Sequence, residues 1–214
     1  GNTELKTAVT NIAHDLRTPL TAICGYLELL KNEEKSTDVE RCLGIIEDRT
    51  DTLKHLTEEL FRYSLIISQD DEVKNEEVCV NYVLEETIAA YYGALKEKNI
   101  TPEVIITEKR IVRNLDKTAL SRIFGNILSN AVKYSDGDLQ IVLNNFGEIT
   151  FSNTATGLDE TQVAKLFDRF YTVENARTST GLGLSIARTL VERMNGIISA
   201  SYTNSKLAIC IQFN

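Results

Sequence analysis

The chain has 214 residues, 43% of them hydrophobic, enough to build one large domain or two small ones, which excludes disorder as the starting assumption. Its formal charge of −8, from 23 basic and 31 acidic residues mixed along the chain, argues against a nucleic-acid binder or an anionic-membrane surface, so any phosphate site must be local. Cys24, Cys42, Cys79 and Cys210 stand far apart with no C-x-x-C pair, which argues against a zinc site or redox motif and reads as reduced thiols. No stretch approaches the roughly 18–20 apolar residues of a bilayer span, and no leader of basic then apolar residues opens the chain. It begins inside a helical pattern, so membrane spans are expected only in segments absent from it.

From Leu5 the apolar residues fall at Leu5, Val9, Ile12, Leu16, Leu20, Ile23, Leu27 and Leu30, in steps of three and four that sum to a heptad-like seam. The spacing predicts a long helix with one buried stripe. A polar turn over 31–38, with Ser36, Thr37 and Asp38 as candidate caps, precedes a second run in which Val39, Ile46, Leu53, Leu60 and Ile67 recur every seven residues. A helical hairpin over 1–67 cannot cover its own seam, so two copies are expected to pair as a four-helix bundle in a homodimer. The acidic segment 68–78 breaks the pattern and is the expected linker. From 79 to 214 the texture changes. A helix over 81–98 precedes short β-branched runs at 101–107 and 110–113; a helix over 117–134 leads to strands 139–144 and 148–152, turned at Asn145, Phe146 and Gly147. After an irregular stretch come a helix opening at Gly181 and a closing hairpin, 197–202 and 207–213. This predicts an α+β sandwich, three helices over an antiparallel-rich sheet.

His14 stands two residues from both Ile12 and Leu16, which on a 3.6-residue helix sets it about 160–200° from either, off the seam and toward solvent. An inert surface histidine is the plain alternative. Asp15 is adjacent and can orient or deprotonate the imidazole, leaving the other ring nitrogen as a nucleophile near neutral pH. Thr18, at i+4, shares the exposed face, where its hydroxyl can position a water. Pro19 cannot donate to the carbonyl of Asp15, which loosens the backbone beside His14; a tolerated kink is the alternative. His55, beside Leu53 and Leu56, lacks such company and reads as structural.

In the helix over 117–134, Leu120, Ile123, Phe124, Ile127, Leu128 and Ala131 make one apolar face, while Asn126, Asn130 and Lys133 fall at i, i+4 and i+7 on a polar stripe. Asparagine is a mediocre helix former, so the stripe points to a ligand, with amide oxygens for a metal ion and an ammonium for phosphate; a solvated face is the alternative. The run S-T-G-L-G-L-S-I over 179–186 sets Gly181 and Gly183 where a helix begins, giving close backbone approach and free N–H groups for phosphate. It is neither a P-loop, since G-x-x-x-x-G-K-[ST] is absent, nor a dinucleotide fingerprint, since the third glycine position is Ile186.

The string H-D-L-R-T-P-L, His14 to Leu20, resembles the H-box of two-component sensor histidine kinases, and the hairpin around it is similar to that family's dimerisation and phosphotransfer domain. Behind it, in family order, N-I-L-S-N-A-V-K-Y from Asn126 to Tyr134 resembles the N-box, L-F-D-R-F-Y from Leu166 to Tyr171 the F-box, and T-G-L-G-L-S from Thr180 to Ser185 the second glycine box. The resemblance implies that the γ-phosphate of ATP moves to His14 with the help of Asp15 and then to an aspartate of a response-regulator receiver domain, with Thr18 supporting phosphatase activity. It implies an ATP-binding domain of the gyrase and Hsp90 kind, with Asn126, Asn130, Lys133, Tyr134, Asn153, Gly157, Arg169, Arg177, Thr180, Gly181, Leu182, Gly183 and Leu184 around the nucleotide. Asn130 is then the residue that holds Mg2+, and 154–180 the lid. It also implies a place on the cytoplasmic side of a bacterial inner or plasma membrane, anchored through segments outside this chain.

One departure stands out. The family's first glycine box usually reads D-x-G-x-G, its aspartate accepting from the adenine amino group, whereas 153–157 here reads N-T-A-T-G. Asn153 offers a neutral amide oxygen and Ala155 replaces a flexible glycine, so a charge-assisted hydrogen bond becomes a neutral one about half as strong. Weaker or less selective ATP binding is expected. The alternative is a scaffold or phosphatase with a decayed nucleotide site; a stand-alone ATPase would leave His14 without a role.

Overall fold

The computed structural model describes residues 2–31, 36–68, 74–168, 171 and 181–214, with backbone alone for 2–11, 13–15, 55–56 and 59–68. The chain divides into two compact units at residues 71 and 72.

The first unit is a pair of helices, α1 (Asn2–Lys31) and α2 (Thr37–Ser68). Ser36 opens α2, its hydroxyl accepting from the Val39 N–H at 3.4 Å. Pro19 lies inside α1 without ending it, and near it the Thr21 hydroxyl donates to the Arg17 carbonyl at 2.9 Å. Leu20 and Leu27 are buried, and so are Thr50 and Thr57 from α2. The two threonines satisfy their hydroxyls within their own helix, on the carbonyls of Ile46 (2.7 Å) and Leu53 (2.8 Å). The stripe expected to be buried therefore divides into one that α2 covers and one that stays open. Ile12, Leu16, Ile23 and Leu30 stay 39–52% exposed, as do Val39, Ile46 and Leu53 at 45–47%. Apolar residues at alternating steps of three and four cover an arc of 100° or more, wider than one partner helix fills. Lys31 joins the two helices through Glu47 at 2.7 Å.

The second unit runs β1 (Glu76–Cys79), α3 (Val80–Glu97), β2 (Thr101–Ile106), β3 (Val112–Leu115), α4 (Lys117–Tyr134), β4 (Asp138–Leu143), β5 (Ile149–Thr154), α5 (Glu160–Ala164), α6 (Gly183–Arg193), β6 (Gly196–Thr203) and β7 (Lys206–Phe213). Five strands form one sheet in the order β2-β4-β5-β7-β6, with β2 parallel to β4 and every other pair antiparallel; β1 and β3 form a separate antiparallel ribbon. Strict alternation buries Leu139, Ile141 and Leu143 of β4, Ile149, Phe151 and Asn153 of β5, and Leu207, Ile209, Ile211 and Phe213 of β7. The apolar face of α4, the six residues from Leu120 to Ala131 expected from its period, is buried as well. Phe124 meets Phe151 at a ring separation of 5.9 Å, and α3 and α6 flank α4. The α+β sandwich is as expected.

Three local departures have physical causes. The range expected as linker, 68–78, includes most of β1, because an edge ribbon keeps Glu76 and Glu77 in water and buries only Val78. The stretch expected to be irregular contains α5, closed by a capping box between Asp159 and Gln162. The helix expected from Gly181 begins at Gly183, since Gly181 takes a left-handed φ of 66° that no helix continues through.

Candidate functional site

His14 lies within α1, and its side chain and that of Asp15 are outside the described residues. One turn on, Thr18 and Pro19 are exposed, as are the seam residues Ile12 and Leu16. Immediately beyond, α1 and α2 enclose a groove of about 190 Å³ between Arg17, Leu20, Thr21 and Cys24 on one side and Lys54, Thr57 and Glu58 on the other.

In the second unit the site is built on α4. Asp116 caps the helix, its carboxylate accepting from the Ala119 N–H at 2.9 Å. Asn126, at mid-helix, has a buried amide nitrogen with no hydrogen-bond partner among the described residues. Leaving such a donor unmet costs about 1–3 kcal/mol, so an unmet one is a pointer to a missing acceptor. The start of α6 lies against it: a Cβ built on Gly183 would stand 4.0 Å from the Asn126 Cβ. Leu182 precedes α6 with no side-chain cap, and the Ser185 hydroxyl turns back to the Leu182 carbonyl at 2.9 Å. The first-turn N–H groups of α6 thus carry the partial positive charge that favours an anion. Leu182 and Leu184 are buried, so their side chains anchor this turn and only their backbone is offered to a ligand. Asn130 and Tyr134, farther along α4, are half-buried, and Lys133 is exposed. An asparagine oxygen is a hard ligand of the kind Mg2+ takes, in company with phosphate oxygens and waters. Among the described residues no cluster of three acidic, histidine or cysteine side chains is found.

Asn153 is buried at the end of β5, and its amide nitrogen donates to the Thr154 carbonyl at 2.9 Å. The loop that follows α4, S-D-G-D over 135–138, grips this strand end. The Asp138 carboxylate accepts from the Thr154 N–H at 2.6 Å and from its hydroxyl at 2.9 Å. The Asp136 N–H donates to the Thr154 carbonyl at 2.9 Å, and the Asp136 carboxylate accepts from the Thr156 N–H at 2.7 Å. That backbone N–H holds the Asp136 carboxyl below its ordinary range. Ala155 donates its N–H to Ser205 and accepts from the Tyr202 hydroxyl at 3.0 Å, packed among Val163 and Leu207. Gly157 has open space where a Cβ would go. Arg169, Arg177 and Thr180 lie outside the described residues, as does much of the expected lid. Asp136, Asp138 and Tyr202 were not legible as site residues. The only hint of the first two is a doubly acidic turn placed directly behind the asparagine-bearing helix.

Residues 4–69 match the His Kinase A (phospho-acceptor) domain, and residues 115–212 match the histidine kinase-, DNA gyrase B- and HSP90-like ATPase domain. The chain is 34% identical over 206 residues to the sensor histidine kinase YcbM of Bacillus subtilis, covering 91% of this chain and 66% of YcbM. It is 31% identical over 214 residues to the sensor protein kinase WalK of Staphylococcus aureus, covering 92% of this chain and 50% of that protein. It thus spans less than two thirds of either relative. The fold superposes on full-length ShkA, solved in complex with AMPPNP, with a TM-score of 0.71 at 21% identity, over 96% of this chain and 45% of that one. With a phospho-acceptor hairpin and a nucleotide-type sandwich in one chain, each matched by its own domain family, this chain belongs to the two-component sensor histidine kinases.

Proposed function

We propose that the chain is the catalytic core of an ATP-dependent protein-histidine kinase that phosphorylates itself on His14 and passes the phosphoryl group to an aspartate of a response-regulator receiver domain. The observation that carries this reading is the buried amide of Asn126, unmet among the described residues, against the start of α6, whose N-cap Leu182 offers no side-chain acceptor, in a chain that bears H-D-L-R-T-P-L. A ring nitrogen of His14 attacks the γ-phosphorus; an N–P bond forms, the bond from that phosphorus to the bridging oxygen breaks, and ADP leaves with the electron pair. Asp15 takes the imidazole proton. The phosphates lie on the N–H groups of α6, with Lys133 as counter-charge, the Asn126 amide as donor, and Arg169, Arg177 and Thr180 closing the triphosphate. Tyr134, Asn153 and Gly157 border the base. Asn130 holds Mg2+, which offsets charge on the phosphates when bound. Catalysis is then positioning and charge neutralisation.

The open stripe of Leu16, Ile23 and Leu30 beside Val39, Ile46 and Leu53 supports a homodimer, since a second hairpin covers it as a four-helix bundle. The exposed Thr18 supports a phosphatase role toward the regulator. No described helix is long and apolar enough to cross a membrane, so a place at the cytoplasmic face rests on segments outside this chain.

A second reading, a scaffold or phosphatase with a decayed nucleotide site, draws on Asn153 and Ala155. It requires no calorimetric binding at millimolar ATP. The close packing of Ala155 speaks for an ordered site.

The deciding experiment is incubation with Mg-ATP labelled on the γ-phosphate. Acid-labile, alkali-stable label is expected on the native chain and absent from His14→Ala, with Thr18→Ala still labelled. Equal labelling of the native chain and His14→Ala overturns the proposal.

A further inference from the structure

Where an aspartate only accepts, the Asn153 amide has an accepting end and a donating end, and a half-turn of the side chain exchanges them. Adenine presents an amino donor where guanine presents a carbonyl acceptor. The orientation of this one amide therefore decides which purine it pairs with. Here the orientation is set: Nδ2 donates to the Thr154 carbonyl, a group that can only accept, and among the described residues nothing donates to Oδ1.

Thr154 is in turn held from several sides. Asp138 receives its N–H and its hydroxyl, and the Asp136 N–H reaches the same carbonyl that receives the Asn153 amide. The clamp is itself ordered. The Ser135 hydroxyl accepts from the N–H groups of Gly137 and Asp138 at 3.0 and 3.1 Å, and Gly137 takes a φ of 121° that favours glycine. Asp138 and Thr154 stand next to each other beyond the last registered pair of β4 and β5, Gln140 with Ser152. They thus fix the strand end that carries Asn153.

Resting on the nucleotide-binding reading above, we infer that Asp138 is a positioning residue for purine selection: through Thr154 it locks Asn153 with its oxygen toward the base, so that the asparagine accepts from adenine and turns guanine away. Asp138 itself touches no nucleotide. The clamp does what charge does for an aspartate, which has no donor end to present.

The test is calorimetric titration of the intact chain with Mg-ATP and with Mg-GTP. The native chain prefers ATP. In Asp138→Ala the preference falls by about tenfold, the worth of one oriented hydrogen bond, through weaker ATP and unchanged or tighter GTP. In Thr154→Val, which removes only the hydroxyl bond, it falls by less. Adding Asn153→Asp to Asp138→Ala restores the preference, which a merely structural defect would not allow. The inference is overturned if Asp138→Ala, melting as cooperatively as the native chain, keeps the native preference or weakens both nucleotides in equal proportion without rescue. If Asp138→Ala does not fold, an unchanged preference in Thr154→Val overturns it. A native chain that binds neither nucleotide removes the nucleotide-binding reading itself, an outcome distinct from a site that binds both equally.

Discussion

In the α/β unit, Phe124, Ile123, Leu128 and Ile141 are fully enclosed, while in the helical unit Leu20 and Leu27 are the buried apolar side chains among those described, beside a stripe that stays open from Leu16 to Leu30. Both units are amphipathic. They differ in how many surfaces their apolar residues must meet: a sheet and three helices close one core between two layers, whereas two helices leave an arc that a third and fourth must cover. The α/β unit can thus be stable as one chain, whereas with the proposed second hairpin over its open arc the stability of the helical unit would depend on protein concentration.

The largest effect that sharpens this contrast is expected from Phe124→Ala. It should cost the α/β unit about 3–5 kcal/mol, seen as a lower denaturation midpoint. A helical transition that shifts equally would show that the units do not unfold separately. Next is Ile46→Asp on the open stripe. In the proposed dimer a second hairpin covers Ile46, and losing an isoleucine covered in this way costs each protomer about 1.5–3 kcal/mol, before the charge is counted, so sedimentation should show the variant as monomers at concentrations where the native chain associates. The native helical transition should also move with dilution, and the α/β transition should not. Asp116→Ala, which removes the cap of α4, should cost about 1 kcal/mol in the α/β unit alone. The smallest effect is on pH. Asp136 has its carboxyl held below its ordinary value of 3.8, so its contribution is present above that value and lost as pH falls through the lower folded one. Asp136→Asn should flatten the acid limb of the α/β transition and leave the helical one unchanged.

How legible each region was in the sequence follows the same division. The helix α4 was read end to end, because Leu120 to Ala131 repeat at one period against one surface. The hairpin was read as helices but not as surfaces: period alone cannot tell Leu20, which α2 covers, from Ile23, which it does not. The helix α5 is too short for a period, though D-E-T-Q carried its capping box from Asp159 to Gln162. Glu76 and Glu77 looked like linker because an edge strand tolerates charge on its open side. Around the start of α6, Asn126, Asn130, Gly181 and Gly183 stand out in the sequence by residue type and spacing, and the proposed nucleotide site draws on them. The grip of Asp138 on Thr154 does not stand out, since it joins β4 to β5 across sixteen residues, and no local pattern reports a contact at that range.

Thr50 and Thr57 carry a consequence for how the hairpin answers an input. A buried leucine would contribute about 1.5–3 kcal/mol at each place; these residues bury little more than a methyl group and turn their hydroxyls onto Ile46 and Leu53. Such back-bonding also tends to bend a helix. The seam next to the phospho-acceptor helix is therefore shallow, and turning one helix past the other forfeits little packing. A hairpin with these threonines should therefore re-pack more readily than one carrying leucine at both places, whose deeper seam would hold the two helices in a single register.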